Sequence, residues 1–135
     1  MIGIVIVSHS HLLAKGLHQM AVQMSRNLVN IAAAGGVDDS TIGTSTERIN
    51  GAIEAVYSPD GVLILFDLGS ALLSTQMAIE MLPQERQIKV KLCDAPLVEG
   101  VIAAAIEASL GHSLEEVCRA AEATRAMEKN QVDEF

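Results

Sequence analysis

Four short apolar runs, each followed by a helical pattern, constrain this chain more than any other feature. Ile2-Gly3-Ile4-Val5-Ile6-Val7 is continuous and mostly β-branched, the mark of a strand covered on both faces. Leu28 to Ala34, ending in Gly35-Gly36, reads as a second strand, and Val62 to Phe66 is again uniformly apolar. Ile88-Lys89-Val90-Lys91-Leu92 instead alternates with period two. One face or edge of that fourth strand therefore meets water, and lysines there discourage strand-to-strand aggregation.

The segments between the runs carry helix signals. After Ser8-His9-Ser10, the residues Leu13, Leu17, Met20, Ala21 and Met24 form an apolar stripe, with His11, Lys15, His18 and Gln19 opposite and Ser10 as N-cap. Thr44-x-x-Glu47 reads as a capping box opening a helix that breaks at Ser58-Pro59-Asp60-Gly61. Ser70 can cap a helix to Met81, with Pro83 beyond it. Asp94-Ala95-Pro96 starts a helix through Ser109 that is apolar nearly all round and is expected to be buried. Gly111 ends it, and Ser113-x-x-Glu116 opens a last helix with a surface pair of Glu115 and Arg119. The methionines at helical spacing read as core filler. The tail from Asn130 to Phe135 is expected to fray.

The order βαβαβαβαα predicts an α/β fold, a doubly wound, four-stranded, mainly parallel sheet with helices on both faces. Residues 1–135 carry no linker, repeat or composition shift, so a single domain is expected. With a 2-1-3-4 strand order, the loops after strands 1 and 3 meet at the sheet's carboxyl edge, where such folds bind ligands.

Composition narrows the function. Half of the residues are hydrophobic but only 2% are aromatic, so the core is aliphatic and no stacking platform for single-stranded nucleic acid exists. Seventeen acidic against nine basic side chains give a formal charge of −8 without any basic cluster. Such a surface repels phosphate backbones, and nucleic-acid binding is excluded as a reading. No apolar run approaches the roughly 20 residues needed to span a bilayer, and the amino terminus lacks the basic region of a signal peptide. Cys93 and Cys118 are far apart in sequence and have no C-x-x-C spacing. They read as small buried hydrophobes in a reducing compartment, neither a disulfide nor a zinc site. A cytoplasmic location without membrane attachment is the expectation.

Of the two loops that meet, one carries His9 and the other Asp67. A carboxylate accepting from one ring nitrogen fixes the tautomer and leaves the other nitrogen's lone pair free. Such an imidazole can be a general base, a metal ligand or a nucleophile. A metal held by His9, His11 and Asp67 finds no further Cys or His in the pattern. The surroundings favour an anion, because helix amino termini open after His9 and after Gly69. Gly35-Gly36, Gly43-Thr44 and Gly69-Ser70 add small residues and hydroxyls. No P-loop lysine is present, so a phosphate carried covalently on His9 fits better than a bound nucleotide. Asp67 can also cap its own turn, and Ser10 and Ser70 are N-caps in the plainer reading. Gly35-Gly36 can simply permit a sharp turn, and Asp38-Asp39 a solvated one. His11 is expected on the solvated face of the first helix, and His18 and His112 on the plain surface.

Ile4-Val5-Ile6-Val7-Ser8-His9-Ser10, Ala14-Lys15-Gly16, Ala34-Gly35-Gly36, Ile42-Gly43-Thr44 and Asp67-Leu68-Gly69-Ser70-Ala71 occur in that order. Together they resemble the mannose-type enzyme IIA family of the phosphoenolpyruvate-dependent phosphotransferase system, over Met1 to roughly Ala126. His9-Ser10 and the short Asp67–Ala71 segment are closer to the branch that serves dihydroxyacetone kinase than to the sugar transporters. The resemblance implies that His9 accepts phosphate from the carrier HPr and passes it to ADP held on the nucleotide-binding subunit of the kinase. It further implies that Asp67 orients His9, that the subunit is a homodimer, and that no resident cofactor is needed beyond the phosphohistidine. Ser10, Gly36, Thr44, Gly69 and Ser70 are inferred from loop position to line the phosphate. Some relatives continue into fused phosphocarrier domains; ending at Phe135, this chain is expected to receive phosphate from a separate protein. The alternatives are a sugar-transport enzyme IIA passing phosphate to a IIB protein, and a non-catalytic module binding metabolites or partners at the same edge.

Overall fold

The structure is a computed structural model, and it describes residues 1–130. The expected fraying from Asn130 onward therefore lies, beyond that residue, outside the described residues. Four strands, β1 (Gly3–Ser8), β2 (Ile31–Gly35), β3 (Val62–Phe66) and β4 (Val90–Cys93), form one sheet in the order 2-1-3-4. All three pairings are parallel, with Val5 opposite Ala32 and Ile64. The helices α1 (His11–Met24), α2 (Thr46–Val56), α3 (Leu72–Glu80), α5 (Leu97–Ser109) and α6 (Leu114–Ala123) cover it. A single turn, α4 (Gln84–Gln87), was not expected from the sequence. It follows Pro83, whose ring fixes φ at the N-cap position just before the turn.

Alternation along the central strands divides the core in two. Ile4, Ile6, Leu63 and Leu65 face α1, α5 and α6, whereas Val5, Val7, Val62 and Ile64 face α2 and α3. All eight are fully buried. Removing each such side chain from water contributes about 1.5–3 kcal/mol. The wholly apolar strands and the two covered faces are the same fact.

Several local expectations fail. Helix α1 buries Ala14, Leu17 and Ala21, while Leu13, Met20 and Met24 remain exposed. The short alanines let the helix sit close to β1 and β2, and this tilts the contact face away from the larger side chains. All six methionines are in fact exposed, so none fills the core. The cap of α2 is Ser45, which accepts from Arg48 N–H at 3.2 Å; Thr44 is not the cap. Helix α5 buries only one face, with Val98 and Ile106 exposed. Glu115 pairs with Lys91 on β4, 3.7 Å away, and not with Arg119. The capping box of Ser113 and Glu116 forms with both reciprocal bonds.

Candidate functional site

Parallel pairing places Val7 opposite Phe66, so β1 and β3 end side by side. Asp67 N–H continues the ladder to Val7 O at 3.1 Å. The residues that follow the two strand ends are His9, after Ser8, and Asp67, after Phe66. His9 Nδ1 stands 2.9 Å from Asp67 Oδ1. The other carboxylate oxygen accepts from His9 N–H at 2.9 Å and from Ser8 Oγ at 3.0 Å. Leu68 N–H adds a bond to Oδ1 at 2.7 Å. Asp67 therefore both caps its own turn and holds the histidine.

Burial pushes the Asp67 carboxyl upward, but the donors from His9, Ser8 and Leu68 outweigh it and leave the group below its ordinary range. A carboxylate only accepts, so Nδ1 carries the ring proton and Nε2 the lone pair. Ser70 Oγ lies 2.9 Å from that Nε2 and donates to it. Ser70 is not an N-cap. Gly69–Ala71 form a 3₁₀ turn capped by Leu68 without a side-chain bond, and this turn swings the hydroxyl toward the ring. The His9 side chain keeps 21% of its surface exposed and Asp67 16%. The ring is thus held in a partly dry environment yet open to a second molecule.

Two residues outside the sequence expectations complete the frame. Ser8, fully buried, donates to Asp67 and accepts from Ser10 N–H at 3.0 Å, tying strand end, carboxylate and helix start together. A serine closing an otherwise apolar buried strand was the available signal. Ser10 caps α1 by accepting from Leu13 N–H. The remaining first-turn amides of α1 have no intrahelical partner and bring a positive dipole end beside His9. Arg48 is the second. It donates to Gly35 O at 2.9 Å and to Asp39 at 2.6 Å, holding the β2–α2 loop. From that loop Gly43 N–H also donates to His9 O at 2.9 Å.

Gly35 and Gly36 have different tasks. A Cβ on Gly35 would sit 2.4 Å from Ser10 O, so the glycine is a close approach between β2 and α1. Gly36 has φ +73°, a turn conformation, and its N–H is committed to Ser8 O. The Thr44 hydroxyl is bonded to Ser74 Oγ at 2.8 Å. Asp38 closes an Asx turn on Ser40, and Asp39 faces Arg48 and, at 3.6 Å, His11 Nδ1. The carboxylate that pairs with His11 is therefore Asp39. Nor are the other two histidines plain surface residues, since His18 Nε2 bonds Ile31 O at 2.8 Å and His112 contacts Glu107. A cleft of about 480 Å³ adjoins Asp67 between the ends of β3 and β4, lined by Phe66, Gly69, Leu72, Leu92, Asp94 and Ala95.

The family described as "EIIA-man: PTS system fructose IIA component" matches residues 3–118. A PEP-dependent dihydroxyacetone kinase phosphoryl donor subunit DhaM from Providencia stuartii is 46% identical over 97% of this chain, but only 28% of that relative is covered. The chain thus spans about a quarter of the length of the longer curated relatives it matches. A Listeria innocua protein, the phosphoryl donor subunit DhaM of PEP-dependent dihydroxyacetone kinase 2, is 38% identical over 87% of this chain and 94% of its own length. Among solved structures, a protein of unknown function is 37% identical, with a TM-score of 0.81 over 96% of this chain and 97% of the other. On the family match and these identities, the chain belongs to the EIIA-man family, and it is similar over most of its length to DhaM proteins.

Proposed function

We propose that this chain is a phosphohistidine carrier, loaded on His9 Nε2 by phospho-HPr and discharged to ADP on the nucleotide-binding subunit of a dihydroxyacetone kinase. One observation carries the reading. Asp67 takes Nδ1, and Nε2 faces the open rim beside Ser70 and the start of α1. The Nε2 lone pair attacks phosphorus as the donor's P–N bond breaks in line. The ring, still protonated on Nδ1, then bears positive charge, which the Asp67 carboxylate offsets. In the second transfer the Nε2–P bond breaks as a terminal ADP oxygen attacks, and the ring returns to its neutral tautomer. Ser70, released from Nε2, turns its hydroxyl to the phosphoryl oxygens. The amides near Ser10 and Gly69 provide further donors, while Gly36 and Thr44 shape the wall.

The names of the relatives favour the kinase branch over a sugar-transport IIA. Free, buried Cys93 and Cys118 fit a reducing cytoplasm, and no helix among the described residues is long and apolar enough to cross a membrane. A homodimer is part of the same proposal, with β4 and the last two helices as candidate contacts.

Incubation with phosphoenolpyruvate, enzyme I and HPr should add one acid-labile, base-stable phosphate that His9→Ala lacks. Discharge by an ADP-loaded kinase subunit, and not by a IIB protein, is expected. An unchanged mass overturns the carrier reading in favour of a binding module.

A further inference from the structure

Cys93 and Cys118 are separated in sequence but meet in the fold. Cys93 ends β4, and Cys118 lies on the inner face of α6, one turn before Glu122. One ligand atom from each of Cys93, Cys118 and Glu122 falls within 4.8 Å of the other two. Both thiols are buried, and the carboxylate is half-buried beside them. Cys93 S–H reaches Cys118 O at 3.9 Å. Glu122 is held by Asp94 N–H, which donates to its Oε2 at 3.1 Å. Asp94 is itself held by Arg125, which donates to its backbone oxygen at 2.6 Å. The two sulfurs are thus placed by a strand end and a packed helix, and the carboxylate is oriented by a further bond behind it, as metal ligands are.

Although the sequence spacing of the two cysteines argues against a zinc site, the geometry points to a site for a soft divalent cation such as Zn²⁺, held by the two sulfurs and Glu122, at the carboxyl end of β4. Thiolates select cations of this kind, and three protein ligands leave a fourth position for water. Two sulfurs on one tetrahedral zinc stand roughly 3.8 Å apart. The required contraction is therefore at most about an ångström. On entry the cation displaces one proton from each thiol to solvent, and the carboxylate binds as it stands. No electron moves. The cation offsets three converging negative donors. The bound ion would fasten α6 to the strand whose next residues, Asp94 and Ala95, line the cleft beside Asp67. Nothing in this site depends on His9 being a phosphate carrier.

Titration of the reduced full chain with Co²⁺ tests the assignment. One equivalent should bind, with a near-ultraviolet sulfur-to-cobalt charge-transfer band that Zn²⁺ bleaches. Cys118→Ser should weaken binding at least about tenfold and shrink the band, and Glu122→Gln should keep the band with weaker binding. His9→Ala should leave uptake unchanged, which separates this site from the His9–Asp67 pair. Absence of the band in the wild-type chain overturns the proposal whatever the variants do. Uptake surviving in the Cys93→Ser, Cys118→Ser double variant does the same.

Discussion

Asp67 Oδ1 accepts from His9 Nδ1 at 2.9 Å while Oδ2 accepts from the backbone N–H of the same histidine at 2.9 Å. One carboxylate thus fixes both the ring and the loop that carries it. The two roles separate by substitution. In Asp67→Asn the amide can still accept one bond but no longer offsets charge on the phosphorylated ring. Phosphorylation of His9 should slow by roughly 10- to 100-fold. Asp67→Ala removes the partner of four donors and should in addition lose about 1–3 kcal/mol of stability. Rapid-quench phosphorylation and urea melts measure the two effects, and wild-type transfer rates in both variants would remove Asp67 from the mechanism.

Acid sensitivity follows from the same contact. The folded state holds the Asp67 carboxyl below its ordinary value near 3.9, so the folded chain releases this proton more readily than the unfolded one. Its contribution to stability is complete above about pH 4 and is lost as pH falls through the lower folded value. Stability measured from pH 7 to pH 2 should therefore drop less steeply in Asp67→Asn than in the wild type. Equal slopes would contradict this assignment.

Ser70→Ala removes the hydroxyl on Nε2 but leaves Nδ1 and its carboxylate untouched. The fold should be unaffected. Phosphorylated His9 should hydrolyse or transfer with a rate altered several-fold, about 0.5–1.5 kcal/mol for one exposed hydrogen bond. Phosphohistidine lifetime by ³¹P NMR is the measurement.

Glycines on and beside α1 should respond in opposite senses. Gly16 lies in α1 with nothing near its missing Cβ, so Gly16→Ala should stabilise by about 0.5–1 kcal/mol. Gly35→Ala places a methyl 2.4 Å from Ser10 O and 2.7 Å from Ala14 Cβ, and should destabilise by at least about 1–3 kcal/mol while displacing the start of α1. Thermal midpoints settle the signs.

The contact face of α1 offers a further check. Leu17→Ala should lose about 2–4 kcal/mol, whereas Met20→Gln and Met24→Gln should stay within about 0.5 kcal/mol. A large loss at either methionine would restore the stripe expected from periodicity alone.

The elements themselves were legible because buried parallel strands leave an unmistakable mark. Val62 to Phe66 and the Ser113 capping box could be read from local composition, and strand alternation with helices implied the sheet. The meeting of His9 with Asp67 followed from strand order, since adjacent parallel strands end together. Local sequence could not decide which face of α1 packs, because Ala14, Leu17 and Ala21 compete with Leu13, Met20 and Met24, and only the partner surface chooses. Nor could it show that Ser70 leaves a helix cap for an imidazole.

Residue order and hydropathy alone therefore determined the sheet, its two covered faces and the loops that bear the histidine and the aspartate. Tertiary structure decided which hydroxyls and amides turn toward the ring, and that Cys93 and Cys118 are neighbours across β4 and α6. The division is physical. Burial on both faces is a property of a run of residues, but a hydrogen bond or a ligand set belongs to atoms that chain folding brings from different runs.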